Sequence, residues 1–275
     1  MRAALVRLVD RLRDGPADRR RGPCPSDRTG RPLPAVGLFA ALVLCAGPIA
    51  QADTPMLAPL VAAPDAAPPP PWTVVPLPRQ TRPVTRFTGV QFDGAPALRI
   101  DADKAYGTLV HPLPPDQAAG ARTLAWRWRV DAALPQADLR ARSGDDTVVK
   151  VCTLFDEPRD KVPVSERMWL KAAEALANTD APTATLCYVW DPHLAVGTVL
   201  PSPFTRRVRY LVLRSGDTPL ATWARESRDI GADFLRAFGD EVKEVPRLMG
   251  VMLGGDADNT QGHGIAHVAD LVLGR

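Results

Sequence analysis

The chain carries no Gly-x-Ser-x-Gly elbow, no phosphate-binding loop and no Gly-x-Gly-x-x-Gly between a strand and a helix. It therefore lacks the local signatures of a serine hydrolase, a P-loop enzyme or a dinucleotide-binding fold. A long apolar run is missing as well. The most hydrophobic stretch, Ala-Val-Gly-Leu-Phe-Ala-Ala-Leu-Val-Leu-Cys-Ala at residues 35–46, falls well short of the roughly 20 residues that span a bilayer. Charge of one sign is not in excess either, with a formal balance of +3 over 275 residues.

What the apolar run does fit is the core of an export signal. Arg28 and Arg31 precede it, and Ala50-Gln51-Ala52 puts small residues at the two positions a signal peptidase reads, so cleavage is expected after Ala52. Residues 1–52 are read as a signal peptide whose long, Arg- and Asp-rich n-region fits an upstream start codon. Arg19-Arg20-Arg21 lacks a twin-arginine setting, and Leu44 is a poor residue to precede a lipidated Cys45. The leader takes with it nine of the 34 basic and four of the 31 acidic residues, leaving 25 against 27. That balance gives nucleic-acid binding no electrostatic support. After cleavage no membrane span remains, and the expected location is periplasmic or secreted. Only Cys152 and Cys187 stay with the mature chain, each in an apolar, strand-rich run. One disulfide, or two buried thiols packing as small hydrophobes, are both open at this stage.

Residues 53–79 are crowded with Pro and Ala, including Pro68-Pro69-Pro70-Pro71, and read as an extended linker that buries little of its own surface. The folded domain is expected over residues 80–275. In Thr123–Val130 the residues Leu124, Trp126, Trp128 and Val130 alternate with Ala125, Arg127 and Arg129, the period of a strand with one buried face. Other strands are expected at 84–92, 97–100, 106–110, 147–155, 184–190, 207–213, 220–226, 247–253 and 265–273. Val148–Phe155 and Leu186–Trp190 are apolar on both faces, as in the centre of a covered sheet. Helical spacing appears at Glu166–Asn178 and at Asp229–Phe238, the latter with Asp229 as N-cap and Gly239 as stop. Strands outnumber helices without βαβ alternation. The fold class read from this is all-β with minor helices, an antiparallel jelly-roll-like β-sandwich of galactose-binding-domain-like type.

Several pieces, in their order and spacing, resemble the bacterial domain-of-unknown-function family 3047. They are Leu124–Asp131 (Leu-Ala-Trp-Arg-Trp-Arg-Val-Asp), Gly144-Asp145-Asp146 before the strand 148–155, Tyr188-Val189-Trp190, Val212–Gly216, the stretch Trp223–Asp233, Ala237-Phe238-Gly239 and Asp256–Thr260. The likeness covers about residues 85–273. It implies an exported bacterial protein and brings no activity, substrate or catalytic residue. The stretch 262–270 departs from the family pattern in carrying His263 and His267.

Candidate chemistry lies in the polar turns. Asp256, Asp258 and Asn259 place three oxygen-bearing side chains in four residues, the ligand type a hard cation such as Ca²⁺ takes. Gln261 and His267 stand where an EF-hand needs Gly and Glu, so that motif is excluded. The bland reading is a turn in which these side chains bond to backbone N–H groups. Glu226, Arg228, Asp229 and Asp233 form either a structural ion pair at a strand–helix corner or, with Asp146 or Asp256 as partner to Glu226, a glycosidase carboxylate pair. Trp126 and Trp128 read as core, while Trp190, ending a strand before Asp191-Pro192, is a candidate stacking platform for a sugar ring. His263 and His267, four apart, are a weaker transition-metal candidate. The expected function is a non-catalytic module that binds carbohydrate or another cell-envelope ligand through Asp145, Asp146, Trp190, Glu226, Arg228 and Asp256. The alternatives are a glycoside hydrolase or lyase using paired carboxylates, and a scaffolding subunit of an envelope complex.

Overall fold

A computed structural model describes residues 55–92, 94–167, 170–171, 181–216 and 218–275. The expected leader lies outside the described residues, as does most of the helix expected at 166–178, of which 166–167 and 170–171 are helical.

Among the described residues twelve strands form two sheets. In chain order they are β1 (Thr73–Val75), β2 (Arg86–Phe92), β3 (Ala95–Asp103), β4 (Tyr106–Pro112), β5 (Thr123–Ala132), β6 (Thr147–Asp156), β7 (Ala184–Trp190), β8 (Val199–Pro201), β9 (Val208–Arg214), β10 (Ala224–Asp229), β11 (Arg247–Asp256) and β12 (His263–Gly274). The seven-stranded sheet has the order β1-β4-β11-β6-β7-β9-β8 and the five-stranded sheet β10-β5-β12-β3-β2. The chain is a β-sandwich; its strand order carries the classification no further than that. One detail corrects the antiparallel reading: β7 and β9 pair in parallel. After β7 the chain crosses over β8, which pairs only on the far side of β9. Parallel strands need such a crossover and are normally covered on both faces. β7 is buried along its whole length.

The alternation that marks β5 has a physical outlet in the space between the sheets. Leu124, Trp126, Trp128 and Val130 are buried there with Leu98, Ile100, Ala266 and Val268 from the same sheet and Val149, Val151, Leu186, Tyr188, Val251 and Leu253 from the other. Trp126 meets Tyr188 at 5.3 Å between ring centroids, and Trp128 meets Trp190 at 6.0 Å. Such aromatic pairs contribute beyond their buried area and fix how the layers face. The helix Ile230–Phe238 closes one end. Asp229 caps it by accepting from the backbone N–H groups of Gly231 and Ala232 at 3.0 and 2.9 Å, while Phe234 stacks on Phe238 and meets Phe155 at a tilt.

The stretch expected to be a linker is part of this body. Leu57, Leu60 and Trp72 are buried in the main core, and Thr73–Val75 pairs with Leu109 and its neighbours on β4. Trp72 Nε1 donates to the Ala58 carbonyl at 3.0 Å, and the Ala58 N–H donates to His111 Nε2 at 3.0 Å. The arm also exchanges backbone hydrogen bonds with Gly89, where a Cβ would stand 2.5 Å from the Ala63 oxygen. A Pro-rich arm cannot make a core of its own, but it can lay a few apolar side chains into one already made.

Among the described residues no helix is long and apolar enough to cross a membrane, a statement about helices only.

Candidate functional site

The outward face of the seven-stranded sheet is the floor of a cleft of about 1220 Å³. Strand registers fix which side chains share it, because residues two apart along a strand point the same way. Across the sheet the outward residues fall in rows: Tyr106 opposite Asp256; Thr108 opposite Gly254, itself opposite Lys150; Val110 opposite Met252, Cys152 and Cys187; and Pro112 opposite Gly250 and Leu154. The first two rows are polar, and the others are apolar on β4, β11 and β6 but continue into Tyr210 on β9 and Thr185 on β7.

Lys150 is the centre of the polar end. It sits opposite Gly254, one step short of Asp256, and a Cβ at position 254 would lie 2.7 Å from its Cε. The missing side chain leaves a slot through which the lysine stem crosses β11, bringing Nζ within 2.7 Å of Asp256 Oδ2. The other Asp256 oxygen accepts from the Thr147 N–H at 2.9 Å and the Thr147 hydroxyl at 2.6 Å. Burial, the largest single influence, works to lower the lysine's pKa, but Asp256, Tyr210 and Tyr106 together outweigh it and hold the ammonium well above the usual lysine range.

Beside this pair stands Asp145, whose two oxygens accept from the hydroxyls of Tyr210 at 2.9 Å and Ser202 at 3.0 Å. Burial raises its pKa to about 6, against the pull of Lys150 and the Tyr210 hydrogen bond. Burial likewise pushes the phenols of Tyr106 and Tyr210 upward, so both stay protonated hydroxyls. The Lys150 ammonium lies 5.6 Å from the Tyr106 ring centroid. Asp258 is paired with Arg82 on the rim, with one buried oxygen lacking a donor, and burial raises its pKa. Asp146 lies beneath and takes no part in the lining. Its carboxylate accepts from the Asn259 N–H at 3.1 Å and from the Thr260 N–H and hydroxyl at 2.6 Å each, which ties the 256–260 turn to the strand that carries Lys150. Asn259 then donates to the Asp145 carbonyl at 3.2 Å.

Of the residues singled out from sequence, Asp145, Asp256, Asp258 and Asn259 meet in the cleft, with Asp146 as their anchor. Trp190, expected as an exposed platform, is 3% exposed, because the second sheet covers the strand end that sequence left open. Glu226 and Arg228 are on β10, in the other sheet. Glu226 accepts from Trp128 Nε1 at 3.0 Å and Arg214 Nε at 2.6 Å, and Arg228 grips Asp233 at 2.8 and 2.6 Å, the structural ion-pair reading of that corner. Glu226 therefore shares no cleft with Asp146 or Asp256. The Asp256 oxygens face Thr147 and Lys150 and Asp258 faces Arg82, a charge-compensated network. Among the described residues no three His, Cys, Asp or Glu side chains are grouped to hold a metal ion. His263 pairs with Asp101 at 2.9 Å, while His267 has Nδ1 2.8 Å from Asp131 and its ring against Phe92. Cys152 and Cys187, directly opposite on β6 and β7, form a disulfide at the cleft floor.

Sequence reasoning missed Lys150, Tyr106, Tyr210, Ser202 and Arg82. The one signal present was Lys150 itself, a charge interrupting an apolar strand that could be tolerated only with a buried partner.

The molecule is thus a β-sandwich with a partly polar cleft on the outer face of its larger sheet. It belongs to the family described as protein of unknown function (DUF3047), whose model matches residues 70–272. No curated protein matches the chain.

Proposed function

We propose that this protein is a non-catalytic binding module of the cell envelope that holds a hydroxyl-rich, carbohydrate-type group at the polar end of the cleft. The observation that carries the reading is the meeting of Asp145, Asp256 and Asp258 with Asn259, Lys150 and two tyrosine hydroxyls at one end of one cleft. Carboxylates and amides accept from and donate to sugar hydroxyls, and a few convergent polar groups in a largely apolar pocket are the usual make-up of a ligand site. Hydrolysis by paired carboxylates has less support, because Asp256 is committed to Lys150 and Thr147 and Asp258 is paired with Arg82. The leader-like residues 35–52 and the disulfide both support a location outside the cytoplasm.

A glycan array probed with the purified protein tests this, followed by calorimetry on the retained sugar. Tyr210→Phe and Asp145→Asn should each weaken binding about tenfold, the loss of one or two hydrogen bonds, and Glu226→Gln should leave it unchanged. An array with nothing retained, or variants at 145 and 226 that behave alike, would refute the reading. Release of product from labelled envelope polysaccharide would replace it with the hydrolytic one.

A further inference from the structure

The cleft is longer than its polar network. Along β4 the outward residues run Tyr106, Thr108, Val110, Pro112; along β11 from Asp256 through Gly254 to Met252; along β6 from Lys150 through Cys152 to Leu154. On these three strands hydrogen-bonding side chains stop after the second row, and from Val110 and Met252 to Leu154 the floor is aliphatic or thioether, with Thr185 and Tyr210 contributed by the neighbouring strands β7 and β9. Met249 and Val208 extend it. Three large apolar residues at the rim are left in water, Val75 at 42%, Leu77 at 45% and Phe204 at 48% exposure. The volume, about 1220 Å³, exceeds the upper end of ordinary small-ligand pockets, roughly 1,000 Å³, so one sugar group would leave Val110, Met252 and the apolar rim uncovered. Contiguous apolar surface rimmed by polar residues marks a binding groove.

We infer that the apolar rows are a subsite for an aliphatic chain, so that the ligand is an amphiphile with a sugar-type head between Asp145 and Asp256 and an alkyl or acyl tail over Val110, Met252 and Leu154. The inference rests on the head-group reading above and adds the tail. The gradient along the strands sets the direction: the head lies toward Tyr106 and the tail toward Pro112.

The test is a series of alkyl β-D-glucosides from methyl to decyl, each below its micelle concentration, titrated calorimetrically into the whole protein. Affinity should rise about three- to fourfold per added methylene until the floor is covered, the factor expected for burying a CH₂ group. Leu154→Gln and Met252→Gln, both on the cleft floor, should flatten that slope while leaving binding of the methyl glucoside within twofold. Thermal melts within a few degrees of the parent establish that these variants fold. A slope independent of chain length, or one that neither substitution changes, overturns the inference. If methyl glucoside binds with no dependence on chain length, the head reading stands and the tail subsite falls. If only the longer members bind, with a slope sensitive to Leu154→Gln, the tail subsite stands and the head reading falls. A rise in particle size on gel filtration without ligand would assign the apolar rows to a second copy of the chain and likewise overturn it.

Discussion

Lys150 and Asp256 stabilise the polar end only as a pair. Removing one member of a buried ion pair leaves the other charge uncompensated, so Lys150→Met should lower stability by about 3–5 kcal/mol, and adding Asp256→Asn should recover part of the loss. Chemical denaturation of the two variants beside the parent measures both. Gly254→Val should mimic Lys150→Met, because its side chain would fill the slot the lysine stem crosses. Asp145 predicts a pH signature of its own. Its folded-state pKa, about 6, lies above the ordinary 3.8. The carboxyl therefore supports the fold fully below pH 3.8, and that support is lost as pH rises through about 6. Relative to the parent, Asp145→Asn should gain about 2–3 kcal/mol in stability between pH 3.5 and 7.5, whatever fixed cost its altered hydrogen bonds bring. A difference that does not change with pH would show that the carboxyl ionises freely in its pocket. At this scale the acidic turn was readable, since Asp256, Asp258 and Asn259 crowd four positions. Tyr210, Ser202 and Arg82 were not, because each is brought in from a distant strand or arm and nothing in its own neighbourhood marks it.

The strands themselves were legible wherever burial imposed a pattern. All ten expected strands are present, from Arg86–Phe92 to His263–Gly274. The two that escaped, Thr73–Val75 and Val199–Pro201, are three-residue edges of the larger sheet beside prolines. Short, proline-flanked edges resist further pairing and leave too little sequence for a period to show. The parallel pairing of β7 with β9 was equally hidden, because alternation records which face is buried and not which way the neighbour runs. At this scale the cross-strand disulfide offers a direct measurement. It closes a separation of 35 residues, and the entropy of that loop implies that Cys152→Ser with Cys187→Ser lowers stability by about 3–4 kcal/mol. Melting the double variant beside the oxidised parent tests it. An unchanged midpoint would mean that the paired strands hold without the link.

For the molecule as a whole, the N-terminal arm decides where the folded body begins. Composition pointed to a start near Gln80, because proline content reports what a segment can do alone and is silent about a groove it can occupy. With Trp72 buried beside His111, Trp72→Ala should cost about 3–5 kcal/mol. Removing everything before residue 79 should cost more, since Leu57, Leu60 and an edge strand go with it. Limited proteolysis that strips this arm without lowering the melting temperature would contradict its place in the core. β11 bridges β4 to β6 and β12 bridges β5 to β3, so each sheet is joined through its middle by a strand far along the chain from both of its neighbours. Until β12 pairs, the smaller sheet is no more than β10 with β5 and β2 with β3, and until β11 pairs the larger one lacks its middle. Each sheet therefore closes through contacts between strands far apart in sequence, the kind that form slowly and tie the two layers into a single cooperative event.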